Sequence, residues 1–224
     1  MKIGIDLFRA VVEHENKFWK RLVLVFGLVA VLWVVFILQE YFGYDFSAYG
    51  NQPQTKSGLK GILFSPFIHG SWEHLLSNTL PMMILLTVLL NAYPRVALVV
   101  LLFIHITSGL LVWNFAPPTG IHIGISGIIY GVATFLLAAG IFRQDRTSLL
   151  ITTFIAILYG GMATGFVPTR GVSWQSHLFG AVCGLLAAYI VRKVDLPPSE
   201  PNEEDERYFN TVYTSENKSI EATE

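Results

Sequence analysis

Charged side chains are scarce in this 224-residue sequence. Asp, Glu, Lys and Arg together make up 14% of it, whereas hydrophobic residues make up 53%. A soluble domain of this length needs a more polar surface to face water. Between Leu22 and Val191 there are long apolar runs whose interiors carry no charged residue at all. Such runs are typical of helices in lipid, so the composition disfavours a soluble enzyme.

Cysteine is nearly absent as well. Cys183 is the only one, which excludes an internal disulfide and a Cys-based metal or redox motif. We interpret Cys183 as a small packing residue. The redox compartment is left open.

Negative charge is concentrated at the C-terminus. Residues 196–224 contain eight acidic and two basic residues, a net charge of −6, which leaves +5 for the rest of a chain whose total is −1. A segment with so few apolar residues cannot offset its ordering entropy, so we predict a disordered, solvated tail. The alternative is a regulatory docking role. The acidic residues are Glu200, Glu203, Glu204, Asp205, Glu206, Glu216, Glu221 and Glu224.

Six stretches of about 20 apolar residues predict six membrane-spanning helices. We therefore expect an all-α polytopic membrane protein built as a six-helix bundle. The first stretch is too long for a signal-peptide core, and we expect it to be retained. The stretches cover residues 20–41, 73–92, 95–115, 126–142, 147–166 and 174–192.

The basic residues favour one orientation in the membrane. With the N-terminus inside, the inner segments hold twelve Lys and Arg residues, whereas the outer segments hold only Lys56, Lys60 and Arg170. The positive-inside rule then puts both termini in the cytoplasm. We divide the chain into a cytoplasmic N-terminal segment, 1–19, a membrane domain, 20–193, and the acidic cytoplasmic tail, 194–224. The twelve inner residues are Lys2, Arg9, Lys17, Lys20, Arg21, Arg95, Arg143, Arg146, Arg192, Lys193, Arg207 and Lys218.

One outer connection, from about Phe42 to Trp72, is much longer than the others. Gly, Asn, Pro and Gln occupy its first half, and the apolar stretch 61–67 follows. This pattern favours a structure lying in the outer membrane interface over a free loop.

Polar side chains inside membrane helices are costly and need partners, so they are candidates for function. Counting about 1.5 Å per residue up from the basic residue at each helix's inner end puts three of them at one depth, roughly 22 to 26 Å above the inner boundary of the membrane core. These three are Asn78, Ser126 and His177. On the same helix faces lie His74, four residues before Asn78, then Tyr130, and finally Gly180 and Gly184, a smooth stripe for close helix approach.

A serine and a histidine at a common depth indicate nucleophilic catalysis. His177 can take the proton that makes the Ser126 hydroxyl a nucleophile. Ser126 also begins a helix, whose free N–H groups stabilise a developing oxyanion, and Gly124 and Gly127 permit close approach. We find no Asp or Glu at this depth, so we predict a Ser-His dyad and not a triad.

Other side chains at this depth have supporting roles in the prediction. Asn78 and His74 can donate further hydrogen bonds to the oxyanion. Tyr130, one turn below Ser126, can pack on the His177 ring and fix its orientation.

These residues resemble the rhomboid family of intramembrane serine proteases. The resemblance rests on Gly-x-Ser-Gly at 124–127 with Tyr130, on His-x4-His-x3-Asn at 69–78, and on His-x2-Gly-x3-Gly at 177–184, in the family's order. It implies a rhomboid-like bundle of the six-helix form, a Ser126 nucleophile, a His177 base, Asn78 and His74 as oxyanion donors, Tyr130 stacked on the histidine, and His69 in a structural role.

The resemblance also implies a setting. We expect transmembrane protein substrates, a small residue before the scissile bond and a place in the bacterial inner or plasma membrane, with no cofactor, no metal and no nucleic acid. The Trp-Arg pair that many members carry in the first outer loop is absent here, so the resemblance does not say how this loop is anchored. Oligomeric state is left open.

The sequence offers less support for other kinds of site. His69, Glu73 and His74 cluster, but their spacing differs from the zinc-protease strings. An aspartyl protease needs two carboxylates at membrane depth, and we find no partner for Asp45. A transporter needs an acidic residue near the midplane, and we find none. His105 and His122 are interpreted as packing or interfacial residues. The remaining alternative is an inactive rhomboid-like protein that binds membrane helices without cutting them.

Overall fold

The computed structural model of the protein describes residues 2–169, 171–194 and 207. Within these residues the chain is helical, and the one β-type pairing is an isolated bridge between Asn51 and His122. The predicted disordered tail, 194–224, lies outside the described residues except for Val194 and Arg207. The helices are α1 (Lys2–Phe42), α2 (Gly61–Phe64), α3 (Trp72–Ala92), α4 (Ala97–Phe115), α5 (Ser126–Arg143), α6 (Arg146–Tyr159) and α7 (Trp174–Ile190).

Five helices are long and apolar enough to cross a membrane. These spans are Glu15–Phe42, Trp72–Ala92, Ala97–Phe115, Ser126–Arg143 and Arg146–Phe166. The sixth predicted span corresponds to α7, which has 17 residues and is therefore about 26 Å long, close to the lower limit for crossing. The protein is an all-helical polytopic bundle with a rhomboid-like arrangement.

Helix α1 starts earlier than the apolar run that predicts it. It continues without a break from Lys2, so residues 2–19, predicted as a separate segment, are helical and continuous with the first span. After Gly4 there is no Gly or Pro before Gly27 to end the helix.

The long segment 43–71 folds against the end of α4. Short helical turns at Ser47–Tyr49, Ser57–Leu59, Gly61–Phe64 and Ser65–Phe67 make up much of it. Asn51 donates its side-chain amide to the Gly109 carbonyl at 2.9 Å, and the Trp113 indole donates to the Thr55 carbonyl at 2.8 Å. These bonds anchor the segment in a chain that lacks the Trp-Arg pair.

Helix α5 lies at the centre of the bundle and is the most buried of the five spans. It packs on α6 and α7, and its contact with α7 is close because glycines face each other across it. A β-carbon on Gly180 would overlap the Gly127 carbonyl oxygen, and one on Gly184 would overlap that of Gly131. Because these glycines have no side chains, α5 and α7 can pack closely, and their N-terminal residues come together.

The turn between α5 and α6 is fixed by polar residues. Gln144 adopts a left-handed conformation, with φ 57°, which reverses the chain. Asp145 then caps α6 by accepting a hydrogen bond from the Ser148 backbone N–H at 2.9 Å. Ser148 also accepts a bond from the buried Tyr93 hydroxyl at 3.2 Å, which ties α6 to the end of α3.

Candidate active site

Ser126 is the first residue of α5. The chain enters the helix through Gly124, whose φ of 96° is a conformation that side chains disfavour. A β-carbon there would also lie 2.5 Å from Cε1 and Nε2 of His74. Gly124 is therefore required both by the turn and by the neighbouring ring. The turn leaves the first N–H groups of α5, next to the serine hydroxyl, without an intrahelical partner.

His177, in the first turn of α7, faces Ser126. Its Nε2 lies 2.9 Å from the Ser126 Oγ, and both side chains are buried, with 8% of each exposed. The other ring nitrogen, Nδ1, lies 2.8 Å from the carbonyl oxygen of Gly165. A carbonyl only accepts hydrogen bonds, so Nδ1 carries the proton in the neutral ring. Nε2 then has a free lone pair directed at the serine hydroxyl.

Tyr130 holds the histidine ring from one side. The two rings are stacked, with centroids 4.1 Å apart and planes 5° from parallel. The tyrosine hydroxyl donates a 2.8 Å hydrogen bond to the Met162 carbonyl. The plane of the His177 ring is thus set by a side chain of α5 that is itself fixed at its far end.

His74 and Asn78 approach the same place from α3. Ser71 caps this helix by accepting a hydrogen bond from the His74 backbone N–H at 3.2 Å. Asn78 is buried, and among the described residues its amide nitrogen has no hydrogen-bond partner. Both side chains lie beside Gly124, with the Asn78 Nδ2 3.7 Å from the position of a β-carbon there. An unpaired donor at this point is available to a developing negative charge.

These side chains line one large cleft. Its volume is about 1100 Å³, and its walls include His74, Asn78, Ser126, Tyr130 and His177. The volume far exceeds that of a single water molecule. The connections before α3, α5 and α7 form much of its wall, so the cleft lies at one end of the bundle and can admit both water and an extended peptide segment.

Glu73 also lines this cleft, so a carboxylate is nearer than the sequence suggested. Both ring nitrogens of His177 are engaged by Gly165 and Ser126, and not by this carboxylate. Among the side chains that the structure describes, those of residues 15–169, 171–194 and 207, no three His, Cys, Asp or Glu come together as metal ligands would.

A second histidine and serine pair occupies the same cleft. Nδ1 of His122 is hydrogen-bonded to the Ser173 hydroxyl, which lies 2.6 Å from the Ser176 hydroxyl. The backbone of His122 also pairs with Asn51 in both directions at 2.9 Å. The sequence predicts only a packing or interfacial role for His122, and Ser173 lies in none of the three motifs. Burial lowers the pKa of His122, which keeps its ring neutral near pH 7.

The glycines of the predicted site divide into two groups. Gly124 lies against the His74 ring in the turn before Ser126. Gly127, Gly180 and Gly184 lie in the α5 and α7 contact, where they allow the two helices to approach. The two carbonyl groups that bind His177 and Tyr130, those of Gly165 and Met162, were not predicted. A backbone group can come from any residue type, so no sequence pattern marks it.

Helices of membrane length around a polar cleft, with a serine and a histidine in hydrogen-bond contact, define a rhomboid-like membrane protein. The family model of the Rhomboid domain matches residues 56–194. The chain belongs to the rhomboid family.

Several proteins are similar to this chain in sequence. An uncharacterized protein of Mycobacterium tuberculosis is 35% identical over 173 residues, covering 73% of this chain and 72% of that protein. An uncharacterized protein of Mycobacterium leprae is 32% identical over 180 residues, 75% of this chain and 70% of the relative. The Rhomboid-like protease 5 of Toxoplasma gondii is 26% identical over 145 residues, which are 62% of this chain and 17% of that protein.

Proposed function

We propose that the protein is an intramembrane serine endopeptidase that cleaves the membrane segments of other proteins near the outer face, with Ser126 and His177 as a catalytic dyad. The observation that carries the proposal is the 2.9 Å contact between Ser126 Oγ and His177 Nε2, in a ring whose Nδ1 is bound to a carbonyl. That arrangement leaves Nε2 unprotonated and aimed at the nucleophile, as general-base activation requires.

The reaction follows from these groups. His177 Nε2 takes the hydroxyl proton while Ser126 Oγ attacks the carbonyl carbon of the scissile peptide bond. The N–H groups at the start of α5, with Asn78 and His74, donate to the oxyanion. His177 then gives its proton to the leaving amine, which departs. Water, deprotonated by the same histidine, hydrolyses the acyl-enzyme and returns Ser126 to its starting state.

The substrate segment must unwind to react. In a lipid-embedded helix every carbonyl already accepts an N–H from four residues on, and the side chains cover the peptide carbon. Water in the cleft can solvate backbone groups that unwinding releases. Membrane segments with Gly, Pro or other weak helix formers near their outer end are therefore the expected substrates.

We propose a bacterial inner or plasma membrane location with both termini in the cytoplasm. The support is the excess of basic residues in the inner segments. In a Cys183→Ala background, Gln54→Cys should react with an impermeant thiol reagent added to intact cells, whereas Ser199→Cys should be protected. The reverse pattern would invert the topology.

The division into segments is part of the proposal. Residues 20–193 are proposed as the catalytic unit, and the acidic tail 194–224 as a solvated appendage. A chain ending at Val194 should then keep the activity of the full chain. Loss of activity without loss of thermal stability would favour the regulatory docking role for the tail.

The alternative is a rhomboid-like protein that captures membrane helices without cutting them. It is less well supported because both the serine and the histidine are present and in contact. The discriminating experiment is covalent labelling of the purified full chain with a fluorophosphonate, which reacts with activated serines. We expect the wild type to be labelled, and Ser126→Ala and His177→Ala to be unlabelled.

Ser173→Ala supplies the matched control, because Ser173 is also a histidine-bonded serine of the same cleft. Its labelling should equal that of the wild type. A wild-type protein that binds membrane segments but is never labelled would establish the non-cutting alternative, and labelling lost only in Ser173→Ala would move the nucleophile to the second pair.

A further inference from the structure

The short 3-10 helix Gly160–Phe166, which follows α6, lies beside the proposed catalytic histidine. Two of its carbonyl groups accept hydrogen bonds of 2.8 Å from the site. The Gly165 carbonyl accepts from His177 Nδ1, and the Met162 carbonyl accepts from the Tyr130 hydroxyl. The Phe166 ring adds an edge contact to Tyr130, with centroids 5.2 Å apart. One element therefore contacts both rings of the stacked pair.

We propose that this 3-10 helix is the positioning element of the active site. It would take, through two backbone carbonyls, the role that a carboxylate has in a Ser-His-Asp triad: the Gly165 carbonyl fixes the tautomer of His177, and the Met162 carbonyl fixes the tyrosine that sets the ring plane. The inference deepens the proposed function and rests on it.

A carbonyl suits this position better than a carboxylate would. A carboxylate buried among apolar helices costs several kcal/mol of desolvation, whereas a neutral carbonyl that accepts a hydrogen bond adds no charge. The carbonyl can only accept, so it selects the tautomer with the proton on Nδ1, through a weaker hydrogen bond than a charged carboxylate would form. What it lacks is the negative charge that stabilises an imidazolium, a contribution that falls here to the stacked Tyr130 face.

Gly165 is required for this contact. A β-carbon on it would overlap the Tyr130 hydroxyl oxygen and would lie 2.8 Å from the ring carbon Cζ and 3.0 Å from His177 Nδ1. At Gly160, in the same helix, a β-carbon would meet nothing within 4 Å. The helix has no buried residue of its own, so its position depends on the few contacts that it makes.

The direct test is the tautomer of His177, read from ¹⁵N-histidine spectra of the full chain in detergent. In the wild type at pH 8 the ring should be neutral with its proton on Nδ1. In Gly165→Ala the Nδ1-protonated signal should weaken, while in Gly160→Ala it should match the wild type. If the wild-type spectrum shows the proton of the neutral His177 ring on Nε2, that result alone would overturn the proposal. This readout does not depend on catalysis, so a wild type that is never labelled by the fluorophosphonate would defeat the proposed function and leave the positioning test intact.

The kinetic test uses a model membrane substrate and a rescue. Gly165→Ala should lower kcat by about 10²-fold with KM within twofold, the loss expected from a small misplacement of a catalytic group. Tyr130→Phe removes the oxygen that the new methyl group would overlap. Adding Gly165→Ala to Tyr130→Phe should therefore cost less than adding it to the wild type, and the part of the loss that remains should come from the ring carbon Cζ at 2.8 Å and His177 Nδ1 at 3.0 Å.

Two outcomes would overturn the positioning role. One is an equal loss of kcat in Gly160→Ala and Gly165→Ala. The loss would then come from any substitution in this 3-10 helix and not from the contact of Gly165 with the stacked rings. The other is an equal cost of Gly165→Ala with and without the Tyr130 hydroxyl, combined with an unchanged Nδ1-protonated signal in Gly165→Ala, which would show that Gly165 does not act on the stacked pair.

Discussion

Gly184 of α7 packs directly on the backbone of Gly131 in α5. A β-carbon on Gly184 would overlap the Gly131 carbonyl oxygen and would lie 2.8 Å from its carbon and 3.0 Å from its Cα. The same relation joins Gly180 and Gly127 one turn nearer the site. The distance between α5 and α7, and with it the distance between Ser126 and His177, is thus set by two pairs of glycines.

Replacing Gly184 should separate these helices. We expect Gly184→Ala to lower the free energy of unfolding by about 1–3 kcal/mol, because the overlap is with backbone atoms that cannot rotate away. Its melting temperature in detergent, followed by fluorescence, measures this. The control is Gly27→Ala in α1, where a β-carbon meets nothing within 4 Å, so its stability should stay the same or rise slightly. Equal stability of both variants would mean that the helices can shift without cost.

The two residues of the proposed dyad should act as one unit. Ser126→Ala and His177→Ala should each abolish cleavage of a membrane substrate, and the double variant should be no slower than either single one, because base and nucleophile serve the same step. Initial rates of cleavage in detergent provide the measurement. Strictly additive losses would mean that the two side chains contribute independently, contrary to their hydrogen bond.

Asn78 should contribute to oxyanion stabilisation. Asn78→Ala should reduce kcat by about 10²-fold, the usual loss for one oxyanion donor, and leave the melting temperature nearly unchanged because its amide nitrogen has no partner to lose among the described residues. Asn91→Ala is the matched control, since Asn91 lies near the C-terminal end of the same helix, where it bonds Arg21 and Thr87. It should keep its kcat and lose some stability with these bonds. Full activity of Asn78→Ala would leave the oxyanion to the backbone N–H groups.

Acid should destabilise the protein partly through His69. Burial, and then the neighbouring His74, lower the pKa of His69 to about 4 from 6.5. Between pH 6.5 and 4 the His69 ring is therefore protonated in the unfolded chain and neutral in the folded chain. The free energy of unfolding falls as the pH falls through this range, by about 3 kcal/mol for this shift.

His69→Phe tests this, because it keeps a ring against His74, 4.9 Å away between centroids, and removes the titration. The melting temperature of this variant should depend less on pH between 6.5 and 4 than that of the wild type, whereas both should be flat between pH 7 and 8. Parallel curves over the acidic range would assign the acid sensitivity to other groups.

Substrate choice should depend on how easily the membrane helix unwinds. We expect a segment with Gly-Ala and a downstream Gly-Pro near its outer end to be cleaved well, and the same segment with Leu at those places to be cleaved poorly, because helix breakers free the backbone groups that Ser126 must reach. Cleavage of the pair in one detergent is the comparison. Equal rates would shift selection to sequence contacts with the segment from Phe42 to Trp72.

The apolar runs predicted the fold class from the sequence alone, because burial in lipid requires an uninterrupted run of about 20 residues for each helix. The boundaries were less determined. Helix α1 begins at Lys2 and not near residue 20. An apolar run predicts the part of a helix that lies in lipid, whereas the backbone hydrogen bonds of the helix can continue beyond it. Likewise α7 is shorter than the apolar run that predicts it.

The sequence by itself also selected Ser126, His177, Asn78, His74 and Tyr130, because polar groups at one depth inside apolar helices are rare and leave a pattern in the chain. Only the tertiary structure decided what surrounds them. The carbonyl of Gly165 binds His177, and the Ser173 hydroxyl binds His122. The Gly165 carbonyl carries no signature of residue type. Each contact depends on how the ends of separate helices meet, and helix packing is settled by the summed fit of many side chains across the bundle and not by any local pattern.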